Sequence, residues 1–267
     1  MTTDYQDFEN IVVTQDGGIL TCRLNRPEVL NALNPRSFRE LQTLFQSLVT
    51  DDSVRVVVLT GTGKAFSAGG DVGAMSQGEL TSGFEWPWGS LIENVSFLQA
   101  QQSVPQPIIA SVNGDAVGAG ASIALFCDIV LASDTARFGD AHVRRGIVPT
   151  DGVVIFPLLL GLNKAKELLL TGDLIPASEA ERLGLVNHVY PADELEARTR
   201  DLAEQLAGGA TTAIRFTKQV LGKITWERWN LLADLAAALE EISARTDDHQ
   251  EGINSYLEKR PAKFTGR

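Results

Sequence analysis

Two cysteines in 267 residues cannot build a disulfide framework or a thiolate metal cluster. Cys22 and Cys127 each sit in an apolar run, which predicts two small buried hydrophobes in a reducing compartment. Histidine is scarcer than usual, with three residues, and no pair or trio has the spacing of a metal site, so no metal is expected. Basic residues are outnumbered, 23 against 34 acidic ones, for a net charge of −11. That balance argues against a general nucleic-acid binder but not against an anionic ligand held by a local patch. No apolar run reaches the roughly 18 residues that span a bilayer. The acidic opening, MTTDYQDFEN, has none of the features of a signal peptide. These absences together predict a cytoplasmic protein without a membrane or nucleic-acid partner.

Among what is present, the stretch Thr60–Asp71, TGTGKAFSAGGD, stands out. The β-branched run Val54–Leu59 before it predicts a buried strand, and a helix can start after it. It is not a phosphate loop, because Ala65 follows Lys64. Nor is it a dinucleotide fingerprint, because Phe66 stands where the third glycine belongs. A second glycine cluster, Asn113–Gly120, directly follows the apolar run Ile108–Val112. Glycine permits backbone angles that other residues resist and leaves room for close approach. Two such strand-to-helix corners can each offer one N–H to the same oxygen, which is how an oxyanion is stabilised without reorganisation.

Taken together, KAFSAGGD, PIIASVNGDAVGAGASIALFCDIVLAS and ARFGDAHVRRGIVP resemble the enoyl-CoA hydratase/isomerase (crotonase) superfamily. The likeness covers nearly the whole chain with the motifs in order. It implies an α/β fold, a crotonase-like spiral of ββα units in residues 1–195, followed by a helical trimerisation extension in residues 196–267. The implied substrate is an acyl-CoA, with coenzyme A present only as part of the thioester and no other cofactor. The implied assembly is a homotrimer or a hexamer formed as a dimer of trimers. By resemblance the oxyanion donors are the N–H groups of Gly70 and Ala119. Substrate contacts are implied for Arg26, Lys64, Ala65, Phe66, Ala68 and Asp71. Trp86 and Trp88 would line the acyl pocket, and Lys263 and Phe264 of the tail would touch the CoA nucleotide.

One departure from the family pattern is informative. The two glutamates that hydratases use fall, by position, on Ser122 and His142. An imidazole titrates near neutrality and can take or give a proton. Asp151, nine residues on, could fix its tautomer, or could instead cap the helix starting near Gly152. Three readings follow. The first is a hydratase-type lyase using His142 in place of the glutamate pair. The second, implied by the resemblance of a His and Asp at this separation to superfamily members that cleave β-diketones with water, is a retro-Claisen C–C hydrolase using His142 and Asp151. The third is a non-catalytic acyl-CoA binder.

Local patterning predicts a hairpin over Ile11–Leu24 turning at Gly17-Gly18, and a helix over Arg36–Thr50 capped by Asn34 with Pro35 at its first position. A small-residue helix is predicted over Ala116–Phe126, and two helices separated by Gly161. Further expectations are a capping box at Ser178–Glu181 and a helical run from Ala192 to Arg245, with Glu240 and Glu241 within reach of the site. His188 and His249 are expected to face solvent.

Overall fold

The computed structural model describes residues 8–77 and 97–267, so the predicted pocket tryptophans Trp86 and Trp88 lie outside the described residues. Strands β1 (Ile11–Asp16) and β2 (Ile19–Leu24) form the expected hairpin, with Gly17 at φ +56° making the turn. From β3 (Val56–Gly61) onward the chain repeats one move. A buried strand enters a large sheet, a corner of two or three residues follows, and a three-residue strand enters a second, smaller sheet. The pairs are β3 with β4 (Ala65–Ser67), β5 (Ile108–Val112) with β6 (Asp115–Val117), and β7 (Ile129–Ser133) with β8 (Arg137–Gly139). A helix follows the first two: α2 (Val72–Ser76) and α3 (Ala119–Leu125); a 3-10 turn, His142–Arg145, follows the third.

All residues of β3 and β5 are buried, which their unbroken apolar, β-branched sequences require for strands covered on both faces. The large sheet runs β1-β2-β3-β5-β7-β10, where β10 is His188–Tyr190, and it is parallel from β2 onward. The small sheet runs β4-β6-β8-β9, ending on β9 (Ile175–Pro176). Helix α1 (Pro35–Leu48) starts where predicted: Ser37 N–H donates to the Asn34 side chain, and Leu41, Leu44, Phe45 and Leu48 are buried. Helices α4 (Gly152–Leu160) and α5 (Leu162–Thr171) are separated at Gly161, where φ is +75°.

Three local expectations are corrected. The predicted helix over 116–126 begins only at Ala119, because Ala116 and Val117 pair with Phe138 and Gly139 in the small sheet and Gly118 (φ +54°) turns the chain between the two. The capping box at Ser178 does not form. Helix α6 (Ala177–Arg182) has Pro176 as its N-cap, two residues before the predicted cap, so Ser178 is already inside it. His249 is not solvent-facing: it is 3% exposed. Its ring Nδ1–H donates to the Arg145 carbonyl at 2.6 Å.

The helical run divides into α7 (Leu195–Ala207), α8 (Thr211–Ser243) and α9 (Asp247–Leu257). Helix α7 covers the outer face of the large sheet, packing Leu195 and Ala203 on Val56, Val58, Ile109 and Leu131. The long α8 returns across α4 and buries Trp229 and Ala233 in the main core.

Candidate active site

The first glycine corner is fixed from both sides. Leu33 N–H donates to the Gly69 carbonyl at 2.8 Å, and Asp71 N–H donates to the Leu33 carbonyl at 3.0 Å. Gly70 lies between those two bonds. Asp71 then caps α2, accepting from Gly73 and Ala74 N–H, and its second oxygen pairs with Arg26 at 2.8 Å. The Arg26 guanidinium also donates to the Ala32 carbonyl at 2.6 Å, so it is committed to holding this corner.

Two glycines let the corners touch. At Gly69 (φ +87°) an added Cβ would stand 2.5 Å from the Val117 carbonyl oxygen. At Gly120 it would stand 2.6 Å from both the Cβ and the carbonyl oxygen of Ser67. No side chain fits at either contact. Gly70 and Ala119 therefore line one cavity. Ala119 is the first residue of α3, where the N–H has no partner within the helix. Among the described residues, neither the Gly70 nor the Ala119 N–H has an acceptor.

The cavity, of about 70 Å³, is walled by Phe38, Met75, Phe97, Leu98 and Trp229, and carries His142, Thr150, Asp151 and Glu240 as its polar groups. A groove of about 320 Å³ reaches it from outside, sharing Gly70, Met75, His142 and Ile147 with it. The groove wall includes Ala68, Asp71 and Gly118.

The His142 ring packs over Gly118: a Cβ added there would stand 3.3 Å from Cε1. The predicted orienting carboxylate needs correction. His142 Nδ1–H donates to Asp140 Oδ1 at 2.6 Å, and His142 N–H donates to the same oxygen at 3.0 Å. Asp140, not Asp151, therefore sets the tautomer and leaves Nε2 for chemistry. Asp151 accepts from Gly152 N–H at 3.0 Å as the α4 cap, while its carboxyl lines the cavity. Donor atoms of Asp140, His142 and Asp151 lie within 4.8 Å of one another, a gathering that sequence spacing did not suggest. They could hold a cation only if the His142–Asp140 hydrogen bond opened.

Burial alone would depress the imidazole. The Asp140 carboxylate, with Asp151 and Glu240 nearby, outweighs it and lifts His142 to about 10. Burial raises Glu240 to about 7, against the pull of His142 and the hydrogen bond that Thr150 donates to it. Burial likewise raises Asp151, with His142 opposing.

Of the other predicted residues, Ser122 is fully buried and lines neither the cavity nor the groove. Its Oγ makes no hydrogen bond among the described residues, although it is near enough to favour the ionised Asp151. Ala65 and Phe66 belong to the core and line neither the groove nor the cavity. Lys64 is exposed. The tail carrying Lys263 and Phe264 folds back on α9, where Lys263 N–H donates to Glu251 and Thr265 N–H to Asp248. Glu241 pairs with Arg245, whereas Glu240 faces the site. Asp140 was not anticipated as a site residue; its one signal was its place at the end of the FGD run.

A family model described as enoyl-CoA hydratase/isomerase matches residues 14–267. The chain is 37% identical to a putative enoyl-CoA hydratase of Thermus thermophilus over 95% of this chain and all of the relative. It is 31% identical to a trans-2-decenoyl-[acyl-carrier-protein] isomerase of Streptococcus mutans, covering 98% and 100%. A solved enoyl-CoA hydratase/isomerase of Mycobacterium paratuberculosis superposes with a TM-score of 0.88 at 34% identity, covering 93% and 99%.

Proposed function

The chain belongs to the enoyl-CoA hydratase/isomerase family, and from that premise we propose that it is a hydratase-type lyase acting on an α,β-unsaturated acyl-CoA, with His142 and Glu240 as the acid/base pair. The supporting observation is that the Gly70 and Ala119 amides, which have no acceptor among the described residues, share one cavity with the His142 imidazole and the Glu240 carboxyl. The thioester oxygen accepts from both amides. Glu240, once ionised, takes a proton from water as its oxygen bonds to Cβ. The C=C pair moves onto the thioester oxygen as an enolate, which both N–H groups stabilise. The enolate then collapses, and Cα takes a proton from the His142 imidazolium. Return of the Glu240 proton to His142 resets the site.

The substrate enters along the groove past Ala68 and Asp71, and Met75, Phe38 and Trp229 enclose its acyl end. Lys64, Lys263 and Phe264 are the candidates for the nucleotide end. The wider reading includes a cytoplasmic setting, consistent with two buried free cysteines, and a homotrimer or hexamer. The test is loss of the conjugated thioester in an enoyl-CoA panel. If no panel member turns over with the wild-type protein, this reaction is wrong.

A second reading has its own observation: Asp140, His142 and Asp151 cluster where hydratases carry glutamate. That set suits addition of water to a β-diketone, with C–C cleavage yielding an enolate on the same amides. Consumption of a cyclic β-diketone without thioester turnover would select it.

A further inference from the structure

Arg145 closes the 3-10 turn that His142 opens, and one face of α9 holds it in place. His249 donates to its carbonyl at 2.6 Å. Gly252 lets the helix lie on its main chain, since an added Cβ would stand 2.7 Å from the Arg145 Cα. Tyr256 stacks on its guanidinium, with Cζ 4.1 Å from the ring centroid. Positions 249, 252 and 256 are three and four apart, so they share a helix face. Here they are given over to fixing one arginine.

Among the described residues no carboxylate pairs with that arginine, and the only hydrogen bond of its guanidinium goes from Nη1 to the adjacent Arg144 carbonyl at 3.2 Å. Arg26, Arg144 and Arg260 are each paired with a carboxylate. Arg145 is half-buried, and burial pulls its pKa below the ordinary guanidinium value, with the tyrosine opposing and Arg144 adding. Leaving a partly desolvated cation unpaired costs free energy that a ligand can recover. Arg145 lines the same groove as Gly70, Gly118 and His142. Of the other charges there, Asp71 is neutralised by Arg26. Glu28 is exposed to water, where its field is screened.

We propose that Arg145 is the anion-recognition residue of the groove: the substrate carries a phosphate or carboxylate that meets the guanidinium while its carbonyl rests on the Gly70 and Ala119 amides. Only the placing of the carbonyl rests on the reaction proposed above. An arginine fork suits either anion, because both offer two oxygens in one plane.

Calorimetric titration of the full-length protein with three probes tests this. Acetyl-CoA carries its anions on the nucleotide, S-glutaryl-N-acetylcysteamine carries a carboxylate on the acyl chain, and S-acetyl-N-acetylcysteamine carries none. Arg145→Met should weaken one anionic probe at least tenfold more than the neutral one. The probe that suffers identifies the source of the anion. Arg145→Lys, which keeps the charge but loses the fork, should give a smaller loss on the same probe. Raising the salt should weaken wild-type binding of that probe more than of the neutral one, a readout that needs no variant. Equal effects on all three probes, or no wild-type binding of either anionic probe, would overturn the proposal. Selective anion binding without thioester turnover would leave Arg145 in its role and remove the hydratase reading alone.

Discussion

His142 and Glu240 line one cavity and are both raised above their ordinary values, His142 by the carboxylates around it against the effect of burial, Glu240 by burial against the pull of His142. Glu240, raised to about 7, is ionised only above neutrality, while His142, raised to about 10, is still protonated there. A base that works ionised and an acid that works protonated give a bell-shaped pH–rate profile. We expect kcat/KM to rise through about pH 7 and fall through about pH 10, read from initial rates. His142→Ala should lower kcat by roughly 10²–10⁴-fold with little change in KM. Asp140→Asn should lower it too and move the alkaline limb toward neutrality, because the carboxylate that holds the Nδ1 proton is gone.

The two groups have opposite signs in stability. His142 is raised from 6.5, so its contribution is full below about pH 6.5 and lost as pH rises through about 10. Glu240 is raised from 4.5, so its burial cost is absent below about pH 4.5 and complete above about 7. Glu240→Gln should thus stabilise the protein at pH 8 by on the order of 1–2 kcal/mol while abolishing most turnover. Denaturant midpoints at pH 4, 6 and 8 check this; a midpoint shift that does not grow with pH would refute it. His142 was legible as a candidate for the acid/base role because it stands where the family motif places a carboxylate. Asp140 and Glu240 were harder to read. An aspartate two residues before a histidine is unremarkable until the turn bends its carboxyl onto Nδ1, and Glu240 is one of two adjacent glutamates on a long helix.

At the scale of elements, the proposed oxyanion site rests on how closely the two corners approach. Gly120→Ala drives a methyl into Ser67 on β4 and must push α3 outward. We expect a loss of about 1–3 kcal/mol in stability. We also expect a fall in kcat larger than any change in KM, since the Ala119 amide moves with the helix. Thermal melts and kinetics on the same preparation separate the two effects. The strands, the hairpin and α1 were legible locally, because β-branched runs, a Gly-Gly turn and an Asn-Pro cap carry their own signals. The start of α3 was not. Ala116 and Val117 have helix-compatible side chains, and only their pairing with β8 makes them strand.

For the whole molecule, α8 exposes Phe216, Val220, Leu221 and Ile224 at 56–71% each, a large apolar surface for a helix in water. We expect sedimentation velocity to show trimers or hexamers, and Leu221→Glu with Ile224→Glu to shift the protein toward monomer. A monomeric wild type at micromolar concentration would contradict that.

The sequence by itself determined the strand–corner–helix rhythm, the glycine positions and the departure from a glutamate pair, because each is written in residues close together in the chain. The tertiary structure alone decided which carboxylate meets the imidazole, that a glutamate from α8 completes the cavity, and that α9 holds Arg145 in the groove. The last two contacts join segments roughly 100 residues apart, Glu240 with Thr150 and His249 with Arg145, and no local pattern specifies a partner that only the packing of helices brings within reach; the first joins residues two apart, but only the bend of the turn puts the Asp140 carboxyl on Nδ1.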